Sequence, residues 1–182
     1  MISSSGGGKN CFVAVAAMLV LTMLSACSSG SGDEPEPEPT ATASETSSTQ
    51  ADEGAVSALY DKFWAARVKA ENAAKADPAM FQGIAEGSIV EAFLKKVRDA
   101  ADIGVTRQGR PTIDQVEVSV TGDTAEIVAC LNEDSWEFFG NGEQIDSPDN
   151  GPAPVGATAE RRAGSWLLTG TVVAADLQKS CG

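Results

Sequence analysis

The reactive side chains of this sequence are four cysteines, and histidine is absent. Histidine is the usual general base near neutral pH and the commonest metal ligand in proteins, so mechanisms that pair a serine or cysteine nucleophile with histidine are excluded. We also find no metal-binding or cofactor-binding motif. We therefore assign no catalytic residue, no metal ligand and no cofactor from the residues alone.

The first cysteine-centred motif lies near the start of the chain. Lys9 is the only charged residue among the first 26, and an apolar run follows it. That run is short for a membrane-spanning helix but typical of a signal peptide. Residues 24–27 (Leu-Ser-Ala-Cys) then form a lipobox, which predicts cleavage before Cys27 and a lipid anchor on its thiol. The alternatives are an uncleaved anchor and an ordinary secretory signal.

The charge balance limits the partners of the chain. It carries 13 Lys+Arg against 26 Asp+Glu, a net charge of −13. Such a chain is repelled by the phosphates of nucleic acids and by anionic lipid headgroups. We therefore expect no nucleic-acid partner, and we expect contact with a membrane, on its extracytoplasmic face, through the lipid anchor.

A low-complexity segment follows the predicted cleavage site. Residues 28–53 contain no Lys, Arg or aromatic residue and include a Glu-Pro repeat at 34–39. This composition cannot bury a core and favours an extended, disordered spacer. We therefore divide the chain into a signal peptide (1–26), a lipidated cysteine with an acidic tether (27–53) and an α+β domain (54–182).

The spacing of apolar residues predicts helices in the first half of the domain. Apolar residues recur at intervals of three and four over 56–76, which predicts an amphipathic helix. Asp77-Pro78 predicts an N-cap and first residue of a short second helix. Ser88 and Glu91 stand at capping-box spacing and predict the start of a third helix, which should end near Gly104.

After Pro111 the hydrophobic period changes to two, which is typical of strands. A loop rich in Pro, Gly and Asp at 147–156 separates the earlier strands from the last two, at about 157–162 and 166–174. Turn dipeptides predict hairpins at Gly122-Asp123, Asn141-Gly142 and Ala163-Gly164.

Two cysteines remain in the mature domain. Cys11 leaves with the signal peptide and Cys27 is lipidated, so Cys130 and Cys181 are left as a pair in an oxidising compartment. We expect a disulfide that ties the C-terminus to a central strand. The alternative, two free thiols or a redox pair, lacks the C-x-x-C spacing that redox pairs use.

Several short motifs of the domain occur together in one known superfamily. They are Asp77-Pro78, Gly122-Asp123-Thr124-Ala125, Val128-Ala129-Cys130, Asp134-Ser135-Trp136, Asn141-Gly142, Gly164-Ser165-Trp166-Leu167-Leu168 and the final Cys181. With these motifs, residues 54–182 resemble the NTF2-like (SnoaL-like) superfamily, and more narrowly its actinobacterial lipoproteins. The resemblance implies N-terminal helices packed in a strongly curved antiparallel sheet that forms a cone. Relatives use that cone for different functions, so the fold does not determine one.

The resemblance also suggests which active site to look for. Dehydratase relatives use an Asp-His pair, which this chain cannot form. Steroid-isomerase-like relatives use a carboxylate base and a tyrosine, which leaves Tyr60, the only tyrosine, with Asp102 or Asp114. Tyr60 shares an apolar stripe with Phe63 and Trp64, however, where a core tyrosine is the ordinary interpretation.

Aromatic and acidic residues offer two further candidate sites. The three tryptophans could line a pocket for an apolar ligand, with Trp64 next to Tyr60, although large aromatics usually fill the core of a domain this size. Asp146, Asp149 and Asn150 have the oxygen-rich composition of a calcium loop but lack EF-hand spacing, so a solvated acidic loop is the simpler interpretation.

Together these observations favour binding over catalysis. We expect a non-enzymatic, membrane-tethered module that binds an envelope protein or a small apolar ligand, with Tyr60 and Trp64 as pocket residues. The alternatives are a cofactor-free isomerase or lyase that uses the same pocket, and a structural module that forms a homodimer.

Overall fold

The structure, a computed structural model, describes residues 42–172 and 174–182. These residues belong to one compact unit, Pro39–Gly182. The predicted signal peptide, the predicted lipidation site Cys27 and the tether up to residue 41 lie outside the described residues. Within the described ranges, neither α-helix contains a segment long and apolar enough to cross a membrane.

The first helix, α1, spans Thr42–Asn72. It begins well before Val56, where apolar spacing predicts its start, so residues 42–53 are helical and not part of a disordered tether. The prediction of a disordered tether was wrong for residues 42–53 because this segment consists mainly of small and polar residues and has no apolar stripe. Hydrophobic periodicity cannot detect a helix of that composition. Asp52 within it forms an ion pair with Arg161 at 2.5 Å, which attaches this part of α1 to the strands.

The second helical segment is a short 3₁₀ helix, Pro78–Phe81, and its predicted start is confirmed. The carboxylate of Asp77 accepts a hydrogen bond from the backbone N–H of Ala79 at 3.0 Å. Proline occupies the first helical position, where its missing N–H costs nothing.

Helix α2 spans Gly87–Asp102, and its end near Gly104 is as predicted. The predicted capping box is wrong. The N-cap is Glu86, two residues before Ser88, and it makes no side-chain capping hydrogen bond. The backbone N–H of Glu86 instead donates to the carbonyl of Leu168 at 2.8 Å, so a tertiary contact replaces the local cap.

Seven strands follow the helices, and all their pairings within the sheets are antiparallel. Their hydrogen bonds form a sheet of order β1-β4-β5 and a sheet of order β2-β3-β6-β7, instead of the single curved sheet that was expected. The strands are β1 (Val105–Gly109), β2 (Thr112–Thr121), β3 (Thr124–Asn132), β4 (Trp136–Gly140), β5 (Glu143–Ile145), β6 (Ala153–Arg162) and β7 (Ser165–Val172).

Two strand boundaries differ from the prediction. The sequence analysis missed β1 because its Thr-Arg-Gln centre has no apolar alternation. Strand β6 begins at Ala153, inside the segment predicted as a loop, because Ala153-Pro154-Val155-Gly156 pairs with β3 despite its proline and glycine. The three predicted hairpin turns are confirmed, since each joins two paired strands.

Gly109 ends β1 at the corner that leads into β2. Its φ is +87°, and a Cβ built on it would lie 2.2 Å from the backbone oxygen of Ser135. Both the backbone angle and the close approach of the Ser135 backbone, in the turn before β4, therefore require glycine at this position.

The core lies between the two helices and the sheets. Its largest fully buried side chains are Trp136, Phe81, Ile127, Leu168 and Val56.

The predicted disulfide is confirmed: Cys130 of β3 is bonded to Cys181, with the two Cα atoms 5.6 Å apart.

Candidate ligand-binding pocket

A cavity of about 560 Å³ lies between the helices and the strands. Side chains of α1 and α2 form one side of it, and β1, β4, β6 and β7 form the other. Most of the lining residues are apolar. Pockets for small organic molecules typically have volumes of about 300–1,000 Å³ and apolar walls with a few polar groups.

Aromatic residues of α1 form a buried wall of the cavity. Tyr60, Phe63 and Trp64 line it and are all buried. The Trp64 ring meets the rings of Tyr60 and Phe63 edge-on, with centroids 6.2 and 6.3 Å apart. The structure therefore places both sequence-predicted pocket residues, Tyr60 and Trp64, on one wall, because residues four apart share a helix face.

The other two tryptophans belong to the packed core. Trp136 and Trp166 are buried, and neither lines the cavity. The indole N–H of Trp136 donates to the side-chain oxygen of Asn72 at 2.7 Å. The expectation that the tryptophans mainly fill the core is therefore correct for these two.

The pKa of the Tyr60 hydroxyl is subject to opposing effects. Burial raises the pKa of this phenol above its ordinary value of 10.0, while the neighbouring Trp64 indole and the positive charge of Arg67 act in the opposite direction. The net result is a raised pKa, so Tyr60 is a neutral phenol at physiological pH.

The Trp64 indole N–H is buried without a satisfied hydrogen bond. It approaches the Tyr60 hydroxyl closely enough to affect its pKa, but it makes no bond of ordinary length and angle to any residue within the described ranges. An unpaired buried donor costs free energy, and such groups require an explanation.

Two arginines and two glutamates form a group that we call the charge cluster: Arg67, Glu71 and Arg107, which line the cavity, and Glu133, which does not. Arg67 Nε lies 2.8 Å from Glu71 Oε1, and Arg107 Nη1 lies 3.5 Å from Glu71 Oε2. Arg107 Nη1 also lies 3.1 Å from Glu133 Oε1. Both carboxylate oxygens of Glu71 are thus engaged by arginines.

Arg107 is the one charged residue that is fully buried among those the structure describes. Its Nε and Nη2 donate to the backbone oxygen of Trp136 at 3.1 and 2.5 Å. Its guanidinium also lies over the rings of Trp136 and Phe138, 3.7 and 4.3 Å from their centroids. Sequence reasoning missed Arg107 because an arginine flanked by polar residues reads as a surface residue.

Arg67 is the second arginine of the cavity wall. Its guanidinium carbon lies 4.5 Å from the Trp64 ring centroid and 5.5 Å from the Phe93 ring centroid. Its side chain is 27% exposed, so it reaches both the aromatic wall and solvent. No local pattern distinguishes Arg67 in sequence, because its role depends on β1 and α2.

The tyrosine–carboxylate pair that the sequence analysis left as an alternative is not assembled. Asp102, at the end of α2, and Asp114, on β2, are exposed and do not line the cavity with Tyr60. Among the described residues, the carboxylate that lines this cavity is Glu71, and the two arginines hold it. The structure thus does not support the alternative that pairs Tyr60 with Asp102 or Asp114, and Tyr60 is buried as the ordinary interpretation expects.

The acidic loop shows no metal-binding geometry. Asp134 accepts a hydrogen bond from the backbone N–H of Asn150 at 3.1 Å, which orders this part of the loop. Within residues 42–172 and 174–182, no three His, Cys, Asp or Glu side chains are grouped so that they could hold a metal ion.

Comparison with known proteins gives structural similarity alone. No protein-family model and no curated protein matches this chain. Kfla4162 from Kribbella flavida is similar at 13% identity and a TM-score of 0.46, over 69% of this chain and 96% of that one.

Two further solved structures are similar at lower scores. A protein from Streptomyces avermitilis, described as a candidate dehydratase of the NTF2-like family, has 15% identity and a TM-score of 0.40, over 68% of this chain and 99% of its own. A candidate ketosteroid isomerase from Shewanella frigidimarina has 15% identity and a TM-score of 0.38, over 62% and 89%. Because all three TM-scores are below 0.5, we transfer no residue role from these proteins.

Proposed function

We propose that this protein is a membrane-anchored, extracytoplasmic binding module of NTF2-like architecture that holds a small, largely apolar molecule in its cavity. The observation that carries this proposal is the cavity itself, which has the volume and the aromatic wall of a small-molecule pocket. The order of helices and antiparallel strands supports the architecture.

The surroundings of Tyr60 favour binding over catalysis. An isomerase or lyase needs a base within reach of the substrate proton. Asp102 and Asp114 are exposed outside the cavity, and both carboxylate oxygens of Glu71 are engaged by arginine nitrogens. The described residues therefore place no unengaged carboxylate beside Tyr60 on the cavity wall.

The direct test is native mass spectrometry of the soluble chain, which we define as residues 28–182 exported behind a cleavable secretory signal. We expect a reproducible additional mass that disappears on denaturation. Release of that molecule and its identification by small-molecule mass spectrometry would then define the ligand. A chain that carries no extra mass, even after incubation with an extract of its own envelope, would contradict the proposal.

A matched pair of variants locates the binding site. Ala92 is exposed at the rim of the cavity on α2, so Ala92→Trp should obstruct entry without disturbing the core. Ala65 is equally exposed on α1 but does not line the cavity, so Ala65→Trp serves as the control. We expect loss of the extra mass in the first variant alone; equal loss in both would place the ligand elsewhere.

Membrane anchoring is tested separately on the full chain. We expect the protein to be recovered in the membrane fraction and to incorporate a radiolabelled fatty acid. The Cys27→Ser variant should lose the label, because the proposed anchor is attached to that thiol. Retention of the label in Cys27→Ser would contradict lipidation at this cysteine.

A further inference from the structure

We propose that the ligand carries one anionic group, a carboxylate or a phosphate monoester, on an otherwise apolar body, and that Arg67 and Lys96 bind this group. The inference rests on the proposed function and specifies its ligand. We base it on the hydrogen-bonding groups of the cavity wall that have no partner within the described part of the protein.

The unused charged groups of the wall are all donors. Arg67 bonds Glu71 through Nε, and its Nη2 lies 3.9 Å from Glu133 Oε1, but neither Nη1 nor Nη2 makes a hydrogen bond with any residue that the structure describes. Lys96 lines the cavity from α2, and its ammonium forms no ion pair within the same ranges. The cavity therefore has two cations with donors to spare.

The carboxylate that the described residues place on the wall is already engaged. Both oxygens of Glu71 are engaged by arginine nitrogens. The buried Trp64 N–H adds one more donor that lacks an ordinary hydrogen bond within the described part of the chain. A ligand that supplies acceptor oxygens would satisfy these groups, whereas a cationic ligand would have to compete with two arginines for Glu71.

The sign of the local charge supports the same conclusion. Residues 54–182 carry 12 Lys+Arg against 19 Asp+Glu. Among the described residues, the cavity wall nevertheless has three cations, Arg67, Lys96 and Arg107, against one carboxylate, Glu71. The cations still outnumber the carboxylates by three to two when Glu133, which pairs with Arg107 but does not line the cavity, is counted. A local excess of cations attracts an anion to the cavity, although the domain as a whole is acidic.

The surroundings of Arg67 favour the binding of an anion over solvation of its guanidinium at the surface. Its guanidinium packs on aromatic rings and is mostly shielded from water. A planar guanidinium pairs with carboxylate and phosphate oxygens in a bidentate arrangement, and such charge-assisted bonds strengthen where water is excluded. Lys96 is exposed at the rim and would add attraction over a longer distance.

The experiment compares three probes with the same apolar chain: decanoate, decyl phosphate and 1-decanol. Their affinities for the soluble chain are measured by calorimetric titration at low and high salt. We expect at least one of the two anions to bind about tenfold or more tightly than the alcohol. That difference should shrink at high salt, because Lys96 is exposed to screening ions.

A matched pair of variants on α2 tests the role of Lys96. Lys96→Glu reverses a charge at the cavity, and Arg98→Glu reverses a charge on an exposed side chain of the same helix that does not line it. We expect Lys96→Glu to weaken anion binding about fivefold and to leave 1-decanol binding unchanged. Arg98→Glu should change neither affinity appreciably.

Arg67→Gln provides the stronger test and should remove most of the difference between anion and alcohol. Circular dichroism melting shows whether the variant folds; if it does not, Lys96→Glu decides the question alone. Equal or tighter binding of 1-decanol would overturn the anionic group while leaving the proposed binding function intact. Failure of all three probes would also overturn this inference, and the native mass spectrum would still judge the proposed function independently.

Discussion

Tyr60 is a buried phenol on the cavity wall, and its titration has a clear consequence for stability. Burial raises its pKa above 10.0 in the folded protein. The folded state therefore keeps this proton at pH values where the unfolded state loses it. The contribution of Tyr60 to stability is fully present below pH 10.0 and is lost as the pH rises through the folded pKa.

Because Tyr60 is the only tyrosine, this prediction can be measured without ambiguity. The ultraviolet absorbance of tyrosinate should appear at a higher pH in the folded chain than in the urea-unfolded chain. The free energy of unfolding should fall above pH 10.0 more steeply in the wild type than in Tyr60→Phe, which lacks the titrating group. An absorbance midpoint at or below that of the unfolded chain would refute the prediction.

Arg107 is the residue whose loss should damage the fold most directly. Arg107→Met would leave the Trp136 carbonyl without its donor and Glu71 without one of its two cations. Breaking a buried ion pair by removing one partner typically costs about 3–5 kcal/mol. Urea unfolding should show a loss of this size.

The control is Arg110→Met, since Arg110 is exposed nearby at the corner between β1 and β2. We expect its effect to stay within about 0.5 kcal/mol, as for most surface substitutions. Similar free energies of unfolding for Arg107→Met and the wild type would mean that the buried guanidinium does not stabilise the fold.

At the scale of the elements, Gly109 lies at the corner between β1 and β2, where it pairs with Trp136 of β4. Gly109→Ala would impose a positive φ on alanine and place its Cβ against the Ser135 backbone oxygen. Backbone atoms cannot move away cheaply, so we expect a loss of more than about 2 kcal/mol in the free energy of unfolding.

Gly164→Ala separates the two causes of that loss. Gly164 also has a positive φ, +82°, but a Cβ there would meet nothing within 4 Å. Its loss should be about 1 kcal/mol, the cost of the backbone angle alone. If both substitutions destabilise equally, the contact between Gly109 and Ser135 is not a structural constraint.

At the scale of the whole molecule, the disulfide links the C-terminus to β3 and closes a long loop. The bonded cysteines are 51 positions apart in the chain. The chain-entropy model assigns about 4 kcal/mol of stabilisation to a loop of this length. The Cys130→Ala/Cys181→Ala double variant should therefore unfold at a markedly lower urea concentration than the oxidised wild type.

Reduction of the wild type provides the control for the side-chain changes in that variant. The reduced wild type and the double variant should have similar stabilities, because both lack the covalent link. Equal stabilities for oxidised and reduced wild type would show that the link does not stabilise the fold, whatever the double variant does.

Local patterns in the sequence were sufficient for several features. The hairpin dipeptides, the Asp77-Pro78 helix start and the two-residue period of β2 and β3 were all visible, because each depends on neighbouring residues along the chain. The pairing of Cys130 with Cys181 followed from counting the cysteines. The signal peptide, the anchor on Cys27 and the tether up to residue 41 stay predictions from sequence.

Only the tertiary structure decided the remaining features, because they depend on contacts between distant residues. Hydrophobic periodicity did not predict the start of α1 at Thr42, because it detects apolar stripes and not polar helices. Asp102 and Asp114 have a side chain that could act with Tyr60, but in the folded chain both are exposed to solvent. Arg107 became a buried cation because Glu71, Glu133 and the Trp136 carbonyl surround it, and residues so far apart in sequence give no local signal.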